Sequence, residues 1–340
     1  MSRMYWCIVA FAAVALAGCA GTQTVFPATS SPDSHPLSSP DLSKRHYVTT
    51  YPVAETPAYI ATGSDGNLWF TTKDYVAKIT TAGVETYYAN GGGFATHIAA
   101  GKPGTLWYTN LNGNIGRIAT DGTITTFSVP TASKTFDIAK GPDGNMWFTE
   151  QGTHSIGKIT STGVATLFAI PSAALPIGVT GGPDGNIWFS ALGGPTGIEF
   201  GKVTKAGAFT EYPIASGTAG VPGAMTNGRD GNLYATDSMG GVFVVTTSGA
   251  STYYPTSFSS NFENGIAVGY DKQIWMSPGD SADDLTEFDP VTLTFGKAAQ
   301  VPVCGPTSPG IPRGLTLGPD RNMWFVTEGC AYVGVYARRL

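Results

Sequence analysis

Apolar and β-branched residues along this chain fall in short runs, and Gly, Pro, Asp and Asn break the runs at short intervals. One stretch shows the pattern in full. Phe136-Asp-Ile-Ala139 leads into Pro142-Asp-Gly-Asn145, then Met146-Trp-Phe-Thr149, Ser155-Ile-Gly-Lys-Ile159 and Val164-Ala-Thr-Leu-Phe168. Short runs of this kind bounded by turn residues predict four antiparallel strands, A to D, joined by hairpins. Pro-Asp-Gly supplies the A–B turn: Pro fixes φ, Asp bonds back to its own backbone, and Gly accepts positive φ. As a turn, Asp-Gly-Asn needs no metal.

The same phrase returns along the chain. The copies are Gly63-Ser-Asp-Gly-Asn-Leu-Trp-Phe70, Gly101-Lys-Pro-Gly-Thr-Leu-Trp-Tyr108, Gly141-Pro-Asp-Gly-Asn-Met-Trp-Phe148 and Gly182-Pro-Asp-Gly-Asn-Ile-Trp-Phe189. Gly228-Arg-Asp-Gly-Asn-Leu-Tyr-Ala235, Gly269-Tyr-Asp-Lys-Gln-Ile-Trp-Met276 and Gly318-Pro-Asp-Arg-Asn-Met-Trp-Phe325 follow. The leading glycines stand 38, 40, 41, 46, 41 and 49 residues apart. A period of this length, built on four strands, predicts an all-β, seven-bladed β-propeller. The Trp residues of strand B, with Tyr234 as the seventh member, are expected to pack between neighbouring blades.

The ends of the repeat fix how the ring closes. His46-Tyr-Val-Thr-Thr-Tyr-Pro52 matches strand D, as in Ala208-Phe-Thr-Glu-Tyr-Pro213, and Tyr332-Val-Gly-Val-Tyr336 matches strand C. The first strand is therefore expected to complete the last blade, removing exposed sheet edges. The A–B and C–D turns then share one face. The opposite face carries the longer D–A and B–C loops: Gln151–His154, Ala191–Phe200, Ser216–Val221, Ser277–Asp284 and Gln300–Ile311. Function usually sits in such loops on a rigid scaffold.

Residues 1–18 read as a signal peptide. Arg3 precedes an apolar run from Met4 to Leu16, and Leu16-Ala-Gly-Cys19 resembles a bacterial lipobox, which implies a lipid on Cys19. Residues 19–45 are rich in Ser, Thr and Pro and predict a flexible tether, leaving 46–340 for the propeller. The expected location is the cell envelope, and the outer membrane in a Gram-negative host. Cys304 and Cys330 fall in loops on one face of the last blade and are expected to form a disulfide in an exported protein. The net charge of −5 and the lack of a basic run argue against nucleic acid as a partner. A monomer is expected.

Gly-Pro-Asp-Gly-Asn-aliphatic-Trp-Phe-Thr-Glu, followed by Ile-Gly-Lys-Ile-Thr, resembles the streptogramin B lyase (virginiamycin B lyase) family over residues 46–340, most closely from Gly141 to Gly163. The resemblance implies a seven-bladed ring that opens a cyclic depsipeptide ester by elimination. It further implies a His acid or base on strand A, Glu residues after Trp-Phe-Thr, and a Mg²⁺ that polarises the substrate. An elimination needs a base at the α-proton and an electrophile for the developing charge. The strand-A positions matching that His are Ala58, Thr96, Phe136, Ile177, Gly223, Asn264 and Arg313, and none is His. The positions after Trp-Phe-Thr are Thr72, Asn110, Glu150, Ala191, Asp237, Pro278 and Thr327, with Glu328 one residue late.

The reading that results is an envelope-anchored ligand-binding or scaffolding module. An active lyase using displaced groups, and a lactonase-type hydrolase with inward carboxylates around a metal, are the alternatives. The candidate site is the channel mouth on the loop-rich face, where an unidentified small molecule or protein would bind. Glu150 and His154 are the candidate catalytic or metal-binding pair. Asp137, Asp237, Asn264, Arg313 and Glu328 are candidate binding groups. His97 lies one residue past the family's His position and is expected to face the other side of strand A, as a core or inter-blade histidine. Asp280-Ser-Ala-Asp-Asp284 is an acidic cluster expected to be exposed loop.

Overall fold

A computed structural model describes residues 47–131, 133–194, 197–214, 220–256, 265–277, 285–296, 301 and 311–337. The signal, the tether with Cys19, Asn264, the 280–284 cluster and Cys304 lie outside the described residues, as does the side chain of Glu328.

The described strands form seven four-stranded antiparallel sheets, with no helix among them. The third blade is typical: strand A is Thr135–Lys140, B is Met146–Glu150, C is Ser155–Ile159 and D is Ala165–Ala169. Tyr47–Pro52 pairs antiparallel with Tyr332–Ala337, so the chain's first described strand is strand D of the seventh blade. The A strands of successive blades touch one another in a complete cycle, with Ile60–Thr62 of the first against Ile311–Leu317 of the last. They therefore line the ring axis.

Seven hydrophobic clusters hold the blades together, one at each junction. Trp147 of blade three packs with Val179, Ile187 and Phe189 of blade four, and Trp324 of blade seven packs with Ile60, Leu68 and Phe70 of blade one. Tyr234 takes the same place against Ile274 and Phe288. The repeated aromatic is inter-blade, as the repeat predicts. Its polar edge is also satisfied, since the indole Nε1–H of Trp147 donates to Asp143 Oδ1 at 3.0 Å. Asp65, Asp184, Asp271 and Asp320 accept the equivalent indoles, and Asp230 accepts the Tyr234 hydroxyl. The turn aspartates thus have a structural task beyond the turn.

A second aromatic explains the glycine of Ile-Gly-Lys-Ile. Phe148 pairs with Gly157 across strands B and C, and a Cβ at Gly157 would lie 2.1 Å from Phe148 Cζ. Gly116, Gly201 and Gly334 stand under Tyr108, Phe189 and Phe325 in the same way. The Lys of that motif covers the blade edge: Lys158 Nζ sits 5.4 Å from the Trp147 ring and donates to the Lys205 carbonyl of the next blade.

Candidate functional site

Five of the A strands carry a β-bulge, and it falls where the chemistry was sought. Register slips between Ala95 and Ile98, Thr135 and Ile138, Pro176 and Val179, Pro222 and Met225, and Pro312 and Leu315. Each bulge holds the residue matching the family's His and the residue after it. Bulges bend a strand and re-aim its side chains.

A belt of hydroxyls secures this strained level of the ring. The residue after the Trp-Phe pair accepts the bulged amide of its own blade and donates to a carbonyl of the next. Thr109 Oγ1 takes the His97 amide at 3.1 Å and donates to Phe136 O at 2.5 Å. Thr149 does the same between Asp137 and Ile177, and Ser190 between Gly178 and Gly223. Thr71 and Ser277 repeat it for blades one and six. A hydroxyl suits this place because it is both donor and acceptor. These hydroxyls were not among the expected site residues, although the Thr of Trp-Phe-Thr recurs visibly in the sequence. In the seventh blade the position is Val326, and in the fifth the Thr236 hydroxyl is buried without a partner among the described residues.

Below the belt lies a cavity of about 290 Å³ on the ring axis. Each blade lines it with an apolar residue two past the family's His position: Ile60, Ile98, Ile138, Val179, Met225, Ile266 and Leu315, which also belong to the junction clusters. Tyr59, His97 and Asp137 line it from blades one to three, and Lys140 lines it further along strand A. These residues follow the family's position toward the A–B turn, so the cavity extends away from the loop-rich face.

His97 is wedged between two aromatics, with ring centroids 3.6 Å from Tyr59 and 4.6 Å from Phe136. The inter-blade placement expected for it is found, but it also lines the cavity, because the bulge interrupts the alternation on which the expectation rested. Its pKa is pulled down to about 3 by burial; the Phe136 carbonyl acts upward and the Arg313 charge further downward. The imidazole is therefore neutral.

Asp137 bridges two blades. Its Oδ2 accepts the Val179 amide at 2.8 Å and its Oδ1 accepts the Ile138 amide at 2.8 Å. Burial pushes its carboxyl up to about 7, against the downward pull of those two amides.

Glu150 sits elsewhere, at the end of strand B, fully buried. Its Oε1 accepts the amides of Ser133, Lys134 and Gly152 at 3.0, 2.7 and 3.1 Å. Its Oε2 accepts the Thr153 amide at 2.6 Å and the Thr153 hydroxyl. Burial pushes this carboxyl up, but the Thr153, Lys134 and Ser133 bonds outweigh it and hold it below its ordinary range. Glu150 thus ties the D–A loop to the B–C loop. His154, at φ 52°, donates from Nδ1 to the Ala173 carbonyl at 2.5 Å. Different partners hold Glu150 and His154, and neither lines the axial cavity.

Asp237, the equivalent of Glu150 in blade five, accepts the Met239 amide at 3.1 Å, and burial raises its carboxyl. Arg313 lies in the bulge of the last A strand, near enough to His97 to depress it. Glu328 ends strand B of that blade. Of the candidate residues described, only Asp137 lines the cavity. The described residues do not fit the Mg²⁺ that the resemblance implies. Glu150 has its oxygens occupied by five donors, and no three His, Cys, Asp or Glu side chains come together among the described residues.

Comparison with known proteins gives this architecture its relatives. The model of the Virginiamycin B lyase family matches residues 42–135 and 132–282. A streptogramin B lyase structure superposes with a TM-score of 0.75 at 23% identity, covering 86% of this chain and 97% of that one. Virginiamycin B lyase from Staphylococcus aureus gives 0.75 at 22% identity, covering 86% and 99%. A catalytically inactive form of the Staphylococcus aureus lyase with quinupristin gives 0.76 at 22%, again covering 86% and 99%. At these identities the superpositions speak to fold. Comparison with curated proteins found no match.

Proposed function

The chain belongs to the virginiamycin B lyase family, and from that premise we propose that it serves as a ligand-binding or scaffolding propeller of the cell envelope rather than as a lyase. One observation carries this reading. The carboxylate retained after Trp-Phe-Thr, Glu150, is saturated by five donors from its own loops, while no strand-A position holds the family's His. A general base must reach the proton that it removes, and a carboxylate committed to loop amides is a poor proton acceptor. Leu16-Ala-Gly-Cys19 and the polar stretch after it support a lipid anchor with a tether. A Cys304–Cys330 disulfide fits an exported chain, and Cys330 is buried.

The test is incubation of the full chain with a streptogramin B depsipeptide and Mg²⁺, followed by chromatography and fragment mass spectrometry. The expected outcome is intact antibiotic. A linear product of unchanged mass would establish elimination and overturn the reading. A product heavier by one water would instead establish ester hydrolysis and favour the lactonase-type alternative.

A further inference from the structure

The axial cavity is lined by acceptors with unused capacity, one of them without any partner among the described residues. His97 is 5% exposed, and its Nδ1 has no hydrogen-bond partner among the described residues. The ring is neutral and a neighbouring carbonyl, that of Phe136, bonds to it, so the Nδ1 lone pair is the free acceptor. Asp137 faces the same cavity. Each of its oxygens accepts one amide and retains a further lone pair. It makes no ion pair among the described residues, although Lys140 lies on the same strand and lines the same cavity. A partly buried carboxylate lacking a cation is disfavoured in its charged form.

These features select the chemistry of an occupant. An anion meets the Asp137 charge. A neutral alcohol leaves that charge uncompensated. An ammonium brings three donors and one positive charge, which match two carboxylate oxygens and one imidazole nitrogen. The apolar residues of the lining accommodate a short carbon chain, and Tyr59 in the same lining favours a cation. A volume of about 290 Å³ suits a small molecule rather than a peptide.

We propose that the axial cavity binds a small primary amine as its ammonium ion, with Asp137 as counter-ion and the Nδ1 of His97 as a second acceptor. The site is separate from the loop-rich face and stands whether or not that face binds or cleaves a depsipeptide.

The test uses the full chain in detergent, titrated calorimetrically with methylammonium, ethanolamine and glycerol. Both amines bind and glycerol does not. Binding displaces the proton of Asp137, so affinity weakens about tenfold per pH unit below about pH 7 and is constant above it. The other ionisable residues around the cavity are Tyr59, Lys140, Arg313 and His97, the last held neutral by burial. Asp137→Asn abolishes binding, and His97→Gln weakens it less. Absence of heat from either amine at pH 8, equal binding by Asp137→Asn, or equal binding of glycerol would each overturn the assignment. Should Asp137→Asn fail to fold, the wild-type protein decides the matter. Titrations at pH 6 in two buffers of different ionisation enthalpy must reveal close to one released proton, and none released overturns the proposal.

Discussion

The hydroxyl of Thr149 accepts the amide of Asp137 at 2.9 Å and passes its own hydrogen to the Ile177 carbonyl of the next blade. One side chain thus holds a bulged strand and a blade junction together. Thr149→Val keeps the shape and strands both backbone groups in a buried place. The expected cost is about 1–3 kcal/mol of unfolding free energy, and Thr149→Ser should recover most of it. Chemical denaturation of the three proteins checks this; equal midpoints for Val and Ser would refute the belt as a stabilising device.

Blade five inverts the aromatic–Gly pairing of blades two, three, four and seven. There Ala235 stands opposite Phe243, so the aromatic has moved from strand B to strand C. The inversion predicts a double-mutant cycle in blade three. Gly157→Phe alone drives a ring into Phe148 and should cost about 3 kcal/mol or more. Adding Phe148→Ala empties that space and should restore a large share. The coupling is read from urea midpoints, and simple additivity would show that the two sites do not share one volume.

The scaffold was legible because each blade must bury the same surfaces. Trp147, Phe148 and Gly157 recur for reasons that operate seven times, so period and identity agree, and even the closing strand at Tyr47–Pro52 could be assigned from its likeness to Phe209–Pro213. The site was far less legible. His97 and Asp137 occupy the same step of adjacent A strands, but the bulges that re-aim them leave no mark in the hydrophobic alternation. Glu150 looked chemical by its place after Trp-Phe-Thr, whereas its bonds run to loop amides contributed by Ser133 and Lys134, which are remote in sequence. A site on a ring axis draws one residue from each of several distant repeats, and repeat spacing says nothing of how those residues meet.

Closure by the first strand should weigh heavily on stability. Tyr47 to Pro52 pair residue by residue with Ala337 to Tyr332, and Tyr51 stacks on Trp324 at 5.6 Å. Removing residues 46–53 exposes the edge of Tyr332–Ala337 and uncovers that indole. The melting temperature should fall by more than 10 °C, taking about 2–4 °C per kcal/mol for a domain of this size and several kcal/mol for a lost strand. A loss of only a few degrees would mean that the ring closes without it.

Two sets of aspartates should give stability opposite slopes with pH. In the A–B turns, burial pushes Asp65, Asp143, Asp184 and Asp230 up. Bonds from the turn Asn and from the indole or Tyr234 hydroxyl outweigh it and leave each pKa below 3.8. Their stabilisation is complete above the unfolded carboxylate pKa of about 3.9 and is lost as pH falls through the lower folded values. Asp137 behaves in the reverse sense. Burial raises it from 3.8 to about 7, so between those values the folded chain holds a proton that the unfolded chain has released. The Asp137 contribution therefore falls as pH rises through that window and levels off above about 7, against the opposite contribution of His97, whose folded pKa of about 3 lies below its unfolded value. Asp137→Asn should remove that fall, so that the wild type loses stability relative to the variant from pH 4 to 7, while the loss below pH 4 stays common to both. Urea unfolding of both proteins from pH 3 to 8 reads the two limbs separately. Parallel curves for wild type and Asp137→Asn across the upper limb would show that Asp137 is ionised at low pH in the folded ring, and that the axial cavity already supplies its charge with a partner.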